Sequence, residues 1–387
     1  MFASSGKGAM DFAYNDDQGL LRQVTRRFLE ERHPIASVRA RLEAESTFDR
    51  GVWREGAQLG WVAPLVPERY GGGSVSDQPV VDLAAVAEEL GRALYPGPFL
   101  TTNVVADAVA VFGDEQQRQE FLGAIARGDC VATWGAAVDG SADAAAIGVE
   151  ASPAQSDLRL DGVARFAHDA HEADLLLVSC SAPSGPTLAL VPLPATGVSI
   201  RVLGGLDLTR RFCEIRFEGV HVPSRQVLGA VGAAGRAIER ACCLATVLQA
   251  AEAVGAAERV FEITVQYAKD RRQFGRAIGG FQAIKHRLAD LLIELEGARA
   301  ASWYAALAVA DDRPDRDEAV AVAGSAVRDA FAFIAGESVQ IHGGIGFTWE
   351  HDAHLFMRRA KVDQLLFGDP EWHREQLCCL VEAEASA

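Results

Sequence analysis

The sequence lacks any excess of positive charge: over 387 residues its formal net charge is −16. A nucleic-acid phosphate backbone or an anionic membrane surface needs a basic face, so neither is expected as a partner, and any anionic ligand must be held by local groups. The cysteines at 130, 180, 213, 242, 243, 378 and 379 form no CxxC pair and no His/Cys cluster at metal-ligand spacing, which reads as a reduced thiol set in the cytoplasm with no metal site. The opening MFASSGKGAM has no long apolar run of the signal-peptide kind, Met10 is a candidate start, and no stretch of membrane-spanning length is expected. Internal repeats and low-complexity tracts are also missing.

What is present is 49% hydrophobic and long enough for two or three packed units. From Asn15 to Arg127 the period is helical, and Leu20, Leu21, Val24 and Phe28 are expected to share the buried face of the first helix. WVAPLVPERYGGG reads as an irregular connection, because its prolines and glycines break both periods. Beyond Cys130 short alternating segments take over: in FCEIRFEGVHVP, Cys213, Ile215 and Phe217 face one way, with Glu214, Arg216 and Glu218 opposite. Helical periodicity returns near Gly235, resumes from Phe281 to about Ala310, breaks at DDRPDRD and restarts near Asp317. The fold class is α+β, with a helical unit over 10–128, a β unit over 129–230 and a second helical unit over 231–387.

Two strings carry a resemblance. YAKDRRQFGRAIGGFQAIKHRLADL (267–291) and QIHGGIGFTWEHDAHLFMRRAK (340–361) resemble the acyl-CoA dehydrogenase family; PLVPERYGGG and LGGLDLTRRFCEIRFEGVHVP are similar to it with less specificity. The resemblance runs from about residue 10 to 385. It implies an N-terminal helical domain, a β-barrel-like middle and a C-terminal four-helix bundle, assembled as dimers or dimers of dimers. It also implies FAD as cofactor, an acyl-CoA thioester as substrate and an electron-transfer flavoprotein as acceptor. In that chemistry the flavin accepts a hydride while a carboxylate removes the neighbouring proton in a water-excluded site.

Carried over residue by residue, the resemblance makes Arg271 a pyrophosphate contact, suited by its planar fork. Phe274 becomes an apolar wall beside the flavin, Gln282 and Gln340 become adenosine-end partners, and Gly343 with Gly344 permit close backbone approach. In the family these contacts reach the FAD of the neighbouring subunit. Singly, each has a plain structural reading, a solvated helix-end arginine or a glycine helix stop; the intact spacing of all of them favours the cofactor.

Other positions depart from the pattern. ATWGAAVDGSADAA stands where the family cradles a subunit's own flavin: Thr133 is the retained hydroxyl, Trp134 and Gly135 replace an acid and a proline, and Gly140, Ser141 and Asp143 are remnants. ARFAHDAHEAD offers Phe166 for a stacking tryptophan. At the position of the catalytic carboxylate stands Phe367, followed by Gly368, so no catalytic residue is assigned. The alternative base position falls on Ala245 and Thr246. Glu252 is a weak substitute whose plainer reading is a buried glutamate with an arginine partner, and Asp369 and Glu371 read as cap and first-turn residues of a final helix.

Retained residues would touch a neighbour's flavin, whereas altered ones would touch this chain's own. The pattern resembles the subunit lacking the glutamate in actinobacterial α2β2 dehydrogenases of steroid side-chain CoA thioesters, which implies a glutamate-bearing paralogue as partner. A homo-oligomeric dehydrogenase with a relocated base, a flavin-free scaffold and a flavin monooxygenase on the same fold remain alternatives.

Overall fold

Gly91 and Gly255 locate the central contact of the molecule. A Cβ on Gly91 would stand 1.9 Å from the carbonyl oxygen of Glu252, and one on Gly255 would stand 1.8 Å from that of Glu88, so two helices touch backbone to backbone. These are α4 (Pro79–Arg92) and α7 (Gly235–Asp270) in a computed structural model that describes residues 14–44, 46, 48–136 and 147–385. Every residue of α4 from Val80 to Gly91 is buried, which fits a helix enclosed on all sides.

The remaining N-terminal helices are α1 (Asp16–Arg32), α2 (Ile35–Ala40), α3 (Arg50–Gln58), α5 (Phe99–Phe112) and α6 (Glu115–Ala126). In α1 the inward stripe is Gln18, Leu21, Thr25 and Leu29, while Leu20 and Val24 are 59% and 38% exposed. The expected stripe is therefore rotated about the axis. Ion pairs explain it: Arg22 reaches Glu88 at 2.8 Å and Arg26 reaches Glu89 at 2.7 Å, both acids lying on buried α4. Gln18 closes a capping box with Asn15 and donates to Ser76, so a polar residue is satisfied on the inner face.

Eight strands follow: β1 (Ala132–Gly135), β2 (Val149–Ala154), β3 (Asp157–His168), β4 (Leu175–Ala182), β5 (Gly185–Pro192), β6 (Val198–Leu203), β7 (Phe212–Val222) and β8 (Val227–Leu228). They form one sheet in the order β6-β7-β3-β2-β4-β5-β8, with β1 added in parallel to β4. On β7, Cys213, Ile215 and Phe217 are buried and Arg216 and Glu218 exposed, as the alternation requires. Glu214, expected outward, is 7% exposed because Arg165 and Arg201 close over it at 2.9 and 3.2 Å.

The bundle comprises α7, α8 (Gln282–Ala310), α9 (Arg316–His342), α10 (Ala353–Asp363) and α11 (Pro370–Ala385), with a small hairpin, β9 (Arg272–Gln273) and β10 (Arg276–Ala277), after α7. Contrary to expectation, two segments have the length and apolarity of a membrane span, α7 and the run Arg316–Phe347. Their most apolar windows are 83% and 72% buried inside the protein, which makes them core helices of the bundle.

Candidate functional site

The turn between α10 and α11 is built with unusual backbone. Phe367 has φ 53° and Gly368 has φ 86°; for a bulky residue such a conformation costs about 1–3 kcal/mol and persists only where neighbours over-determine it. Two buried donors do so. Arg328 Nη1 donates to the Gly368 carbonyl at 3.0 Å, and His373 Nε2 donates to the Phe367 carbonyl at 3.1 Å. Burial lowers the His373 pKa to about 3, helped by the Arg328 charge, so the ring is neutral at pH 7. Asp369 caps α11, its Oδ1 accepting from the Trp372 amide at 2.7 Å, and neither it nor Glu371 is buried.

The Phe367 side chain is 8% exposed and points into the seam between sheet and bundle. There it lies parallel to Trp134 of β1, with centroids 6.2 Å apart and planes at 8°. His168, at the end of β3, is tilted against it at 5.9 Å and meets Phe212 edge-on at 4.8 Å. Thr133 Oγ1 donates to the His168 carbonyl at 2.6 Å, and Trp134 Nε1 donates to Ser179 Oγ at 3.1 Å. Burial, then Arg210, pushes the His168 pKa down to about 3; burial raises that of Asp169, at φ 48°, to about 7. His168 Nε2 and Asp169 Oδ1 are buried without a hydrogen-bond partner. Phe166 sits at a slip in β3–β7 pairing and is 39% exposed, so it does not join this cluster. Gly140, Ser141 and Asp143 lie outside the described residues.

Beside the seam runs a buried ion network. Glu252 pairs with Arg359 Nη1 at 2.6 Å and with Arg210, so both of its oxygens face arginines. Arg359 also binds Asp207 at 2.5 Å and Thr209, while Arg210 binds Asp363 at 3.0 Å. Burial opposes ionisation of Asp207, yet Arg359 and Arg210 hold its carboxyl below the ordinary range. Asp363, with Oδ2 unpartnered, is instead raised by burial. With both oxygens engaged by arginines, Glu252 agrees with the plainer reading of a buried, paired glutamate. Ala245 and Thr246 are buried on the same helix and carry no acid.

The third group of residues lies elsewhere. The C-terminal ends of α7 and α9 are joined where Tyr267 donates to the His342 carbonyl at 3.3 Å and its ring meets that histidine at 4.4 Å. The start of α8 is tied to the same place by Arg287 and Glu337 at 2.8 Å. Arg271, Phe274, Gln282, Gln340, Gly343 and Gly344 are thereby brought to one end of the bundle, and all six are exposed, Phe274 at 92%. Around Gly343, at φ 65°, and Gly344 a Cβ would meet no atom within 4 Å. Arg276 covers the Phe281 ring at 4.0 Å, and Phe281 meets Phe274 edge-on at 6.1 Å, so this end presents cationic and aromatic groups together.

Sequence reasoning did not single out His168, Asp169, Arg210 or Arg359. The signal for the arginines was the TRR of 209–211 and the RRAK of 358–361, two basic clusters whose partners are distant in the chain.

Family profiles described as "Acyl-CoA dehydrogenase, N-terminal domain" and "Acyl-CoA dehydrogenase, C-terminal domain" match residues 15–129 and 236–378. The chain is 32% identical over 366 residues to acyl-CoA dehydrogenase IpdE2 of Mycolicibacterium smegmatis, covering 94% of this chain and 97% of that one. It superposes on a chain of the ChsE4-ChsE5 complex from Mycobacterium tuberculosis with TM-score 0.86 and 28% identity, covering 98% and 100% of the two chains. A variant of the Tcur3481-Tcur3483 steroid ACAD gives TM-score 0.86 and 29% identity over 96% and 99%. With both profiles in place and near-complete coverage of a curated relative, the chain belongs to the acyl-CoA dehydrogenase family of FAD-dependent oxidoreductases.

Proposed function

We propose that this chain is the supporting subunit of a heteromeric acyl-CoA dehydrogenase, contributing half of an FAD site to a glutamate-bearing paralogue. One observation carries the reading: the six family-type cofactor residues converge on an open surface, while position 367 holds a buried phenylalanine. The flavin, when bound, accepts the hydride from the β carbon of the thioester. This chain's part is to hold it. Arg271 donates to the pyrophosphate, Gln282 and Gln340 hydrogen-bond the adenosine end, Phe274 walls the ring from water, and Gly343–Gly344 let backbone approach closely.

The fit differs between the two places. Open space beside Gly343 and Gly344 suits a ligand. The chain's own seam does not suit an isoalloxazine, because Phe367 already lies against Trp134 and the Thr133 hydroxyl is engaged with a carbonyl. No proton-abstraction step is assigned to this chain; that carboxylate comes from the partner. A relocated base at Glu252 is disfavoured by its two arginines. Relatives named for steroid dehydrogenation and for a two-component complex support a bulky, steroid-derived acyl-CoA as substrate. Electron-transfer flavoprotein fits as the acceptor of electrons from the shared flavin.

The test is co-expression. Alone, the chain should be colourless; with the glutamate-bearing paralogue it should purify yellow, with about one flavin per heterodimer. Arg271→Ala should weaken flavin retention about 10–100-fold, the loss of a charge-assisted bidentate contact. A yellow homo-oligomer that bleaches with acyl-CoA would refute the reading, and unchanged flavin content in Arg271→Ala would select a flavin-free scaffold.

A further inference from the structure

Resting on the shared-site reading, we propose that Phe367 is a closure residue: its ring fills a slot in this chain's own seam that, once vacated, accepts a planar heterocycle. The slot has aromatic walls, Trp134 parallel to Phe367 within 8° and His168 tilted against it, with Phe212 backing His168 edge-on. It also has a polar atom without a partner on one of those walls, because His168 is more than nine-tenths buried and its Nε2 makes no hydrogen bond. Aromatic faces with an unpartnered ring nitrogen beside them are the chemistry of a flat, hydrogen-bonding ring system.

The closure is built in. The Phe367 backbone is locked at φ 53° by His373 on its own carbonyl and Arg328 on the next, and Gly368 is pressed against Trp372, where a Cβ would stand 2.4 Å from that ring. The turn therefore cannot relax outward to vacate the slot. On the far wall, Trp134 is anchored through Nε1 to Ser179 and Thr133 through its hydroxyl to His168, so these walls keep their places when the ring is removed. A closed slot here and an open surface at the other end of the bundle would assign flavin to one site per pair of unlike subunits.

The probe is riboflavin, which has the ring but neither pyrophosphate nor adenosine and so does not engage Arg271, Gln282 or Gln340. Fluorescence titration of the full chain should find no saturable binding to the wild type. Phe367→Ala should bind one riboflavin at least about tenfold more tightly, and adding Arg271→Ala should not change that affinity. Circular dichroism and elution volume report whether the variant is folded. Should Phe367→Ala not fold, Phe367→Val, which removes the ring and leaves the Trp134 wall in place, is read the same way. A folded variant that binds riboflavin no better than wild type overturns the closure, as does stoichiometric binding by the wild type. Neither result touches the Arg271 contact, whose own failure is read only in the flavin content of the co-expressed complex.

Discussion

Two regions of one helical bundle treat their polar groups in opposite ways. At the end formed by α7, α8 and α9, Arg271, Gln282 and Gln340 stand exposed beside glycines with nothing in front of them. At the seam with the sheet, Arg210, Arg328 and Arg359 are each 7% exposed or less, and their guanidiniums are bound to carboxylates, carbonyls or an amide oxygen of the chain itself. An arginine already saturated by its own chain is a structural element; one presented to solvent retains its donors for a ligand. The difference separates architecture from recognition without reference to sequence motifs.

The comparison is broken most strongly from the seam side. Arg359→Ala leaves Asp207 and Glu252 as buried charges short of a partner and should cost about 3–5 kcal/mol, read as a large fall in chemical-denaturation midpoint. Gly344→Val sharpens the other side. Its Cβ meets open space, so the isolated chain should keep its stability while flavin retention by the co-expressed complex falls about tenfold.

A third test is a pH slope. The folded Asp169 pKa is about 7 and an unfolded aspartate titrates near 3.9, so the folded state holds an extra proton between those values. This contribution is fully present below the unfolded pKa and is lost as pH rises through 7. Relative to Asp169→Asn, the wild type should lose stability on going from about pH 4 to 7, by up to about 1.4 kcal/mol per pH unit. Parallel melting curves across that range would expose a flat difference, which would mean that Asp169 is solvated.

The α-then-β-then-α order was legible because periodicity changes at Cys130 and Gly235, and the starts of α8 and α9 were legible from Phe281 and from DDRPDRD. The buried stripe of α1 was not, because hydrophobic period alone places Leu20 and Val24 inward. Arg22 and Arg26 decide the rotation by reaching acids on a helix some seventy residues later. The six converging residues could be named from their motif, whereas their common exposure needed the Tyr267–His342 and Arg287–Glu337 ties. Phe367 was legible as a missing acid but not as a stacking partner. Trp134 reads locally as the substitute for an unrelated residue, and only the sheet-to-bundle seam places the two rings together.

The reciprocal glycines of α4 and α7 have a consequence for the chain as a polymer. Gly91 and Gly255 each receive the other helix's carbonyl at a separation no side chain would permit, so the two helices mesh like a key and its ward at one register. In a nascent segment ending near Arg127, α1 can already meet α4 through Arg22 and Arg26, but the Gly91 contact with α7 waits until residues beyond 250 have emerged. What sequence profiles divide into two modules, the packing joins across one pair of helices.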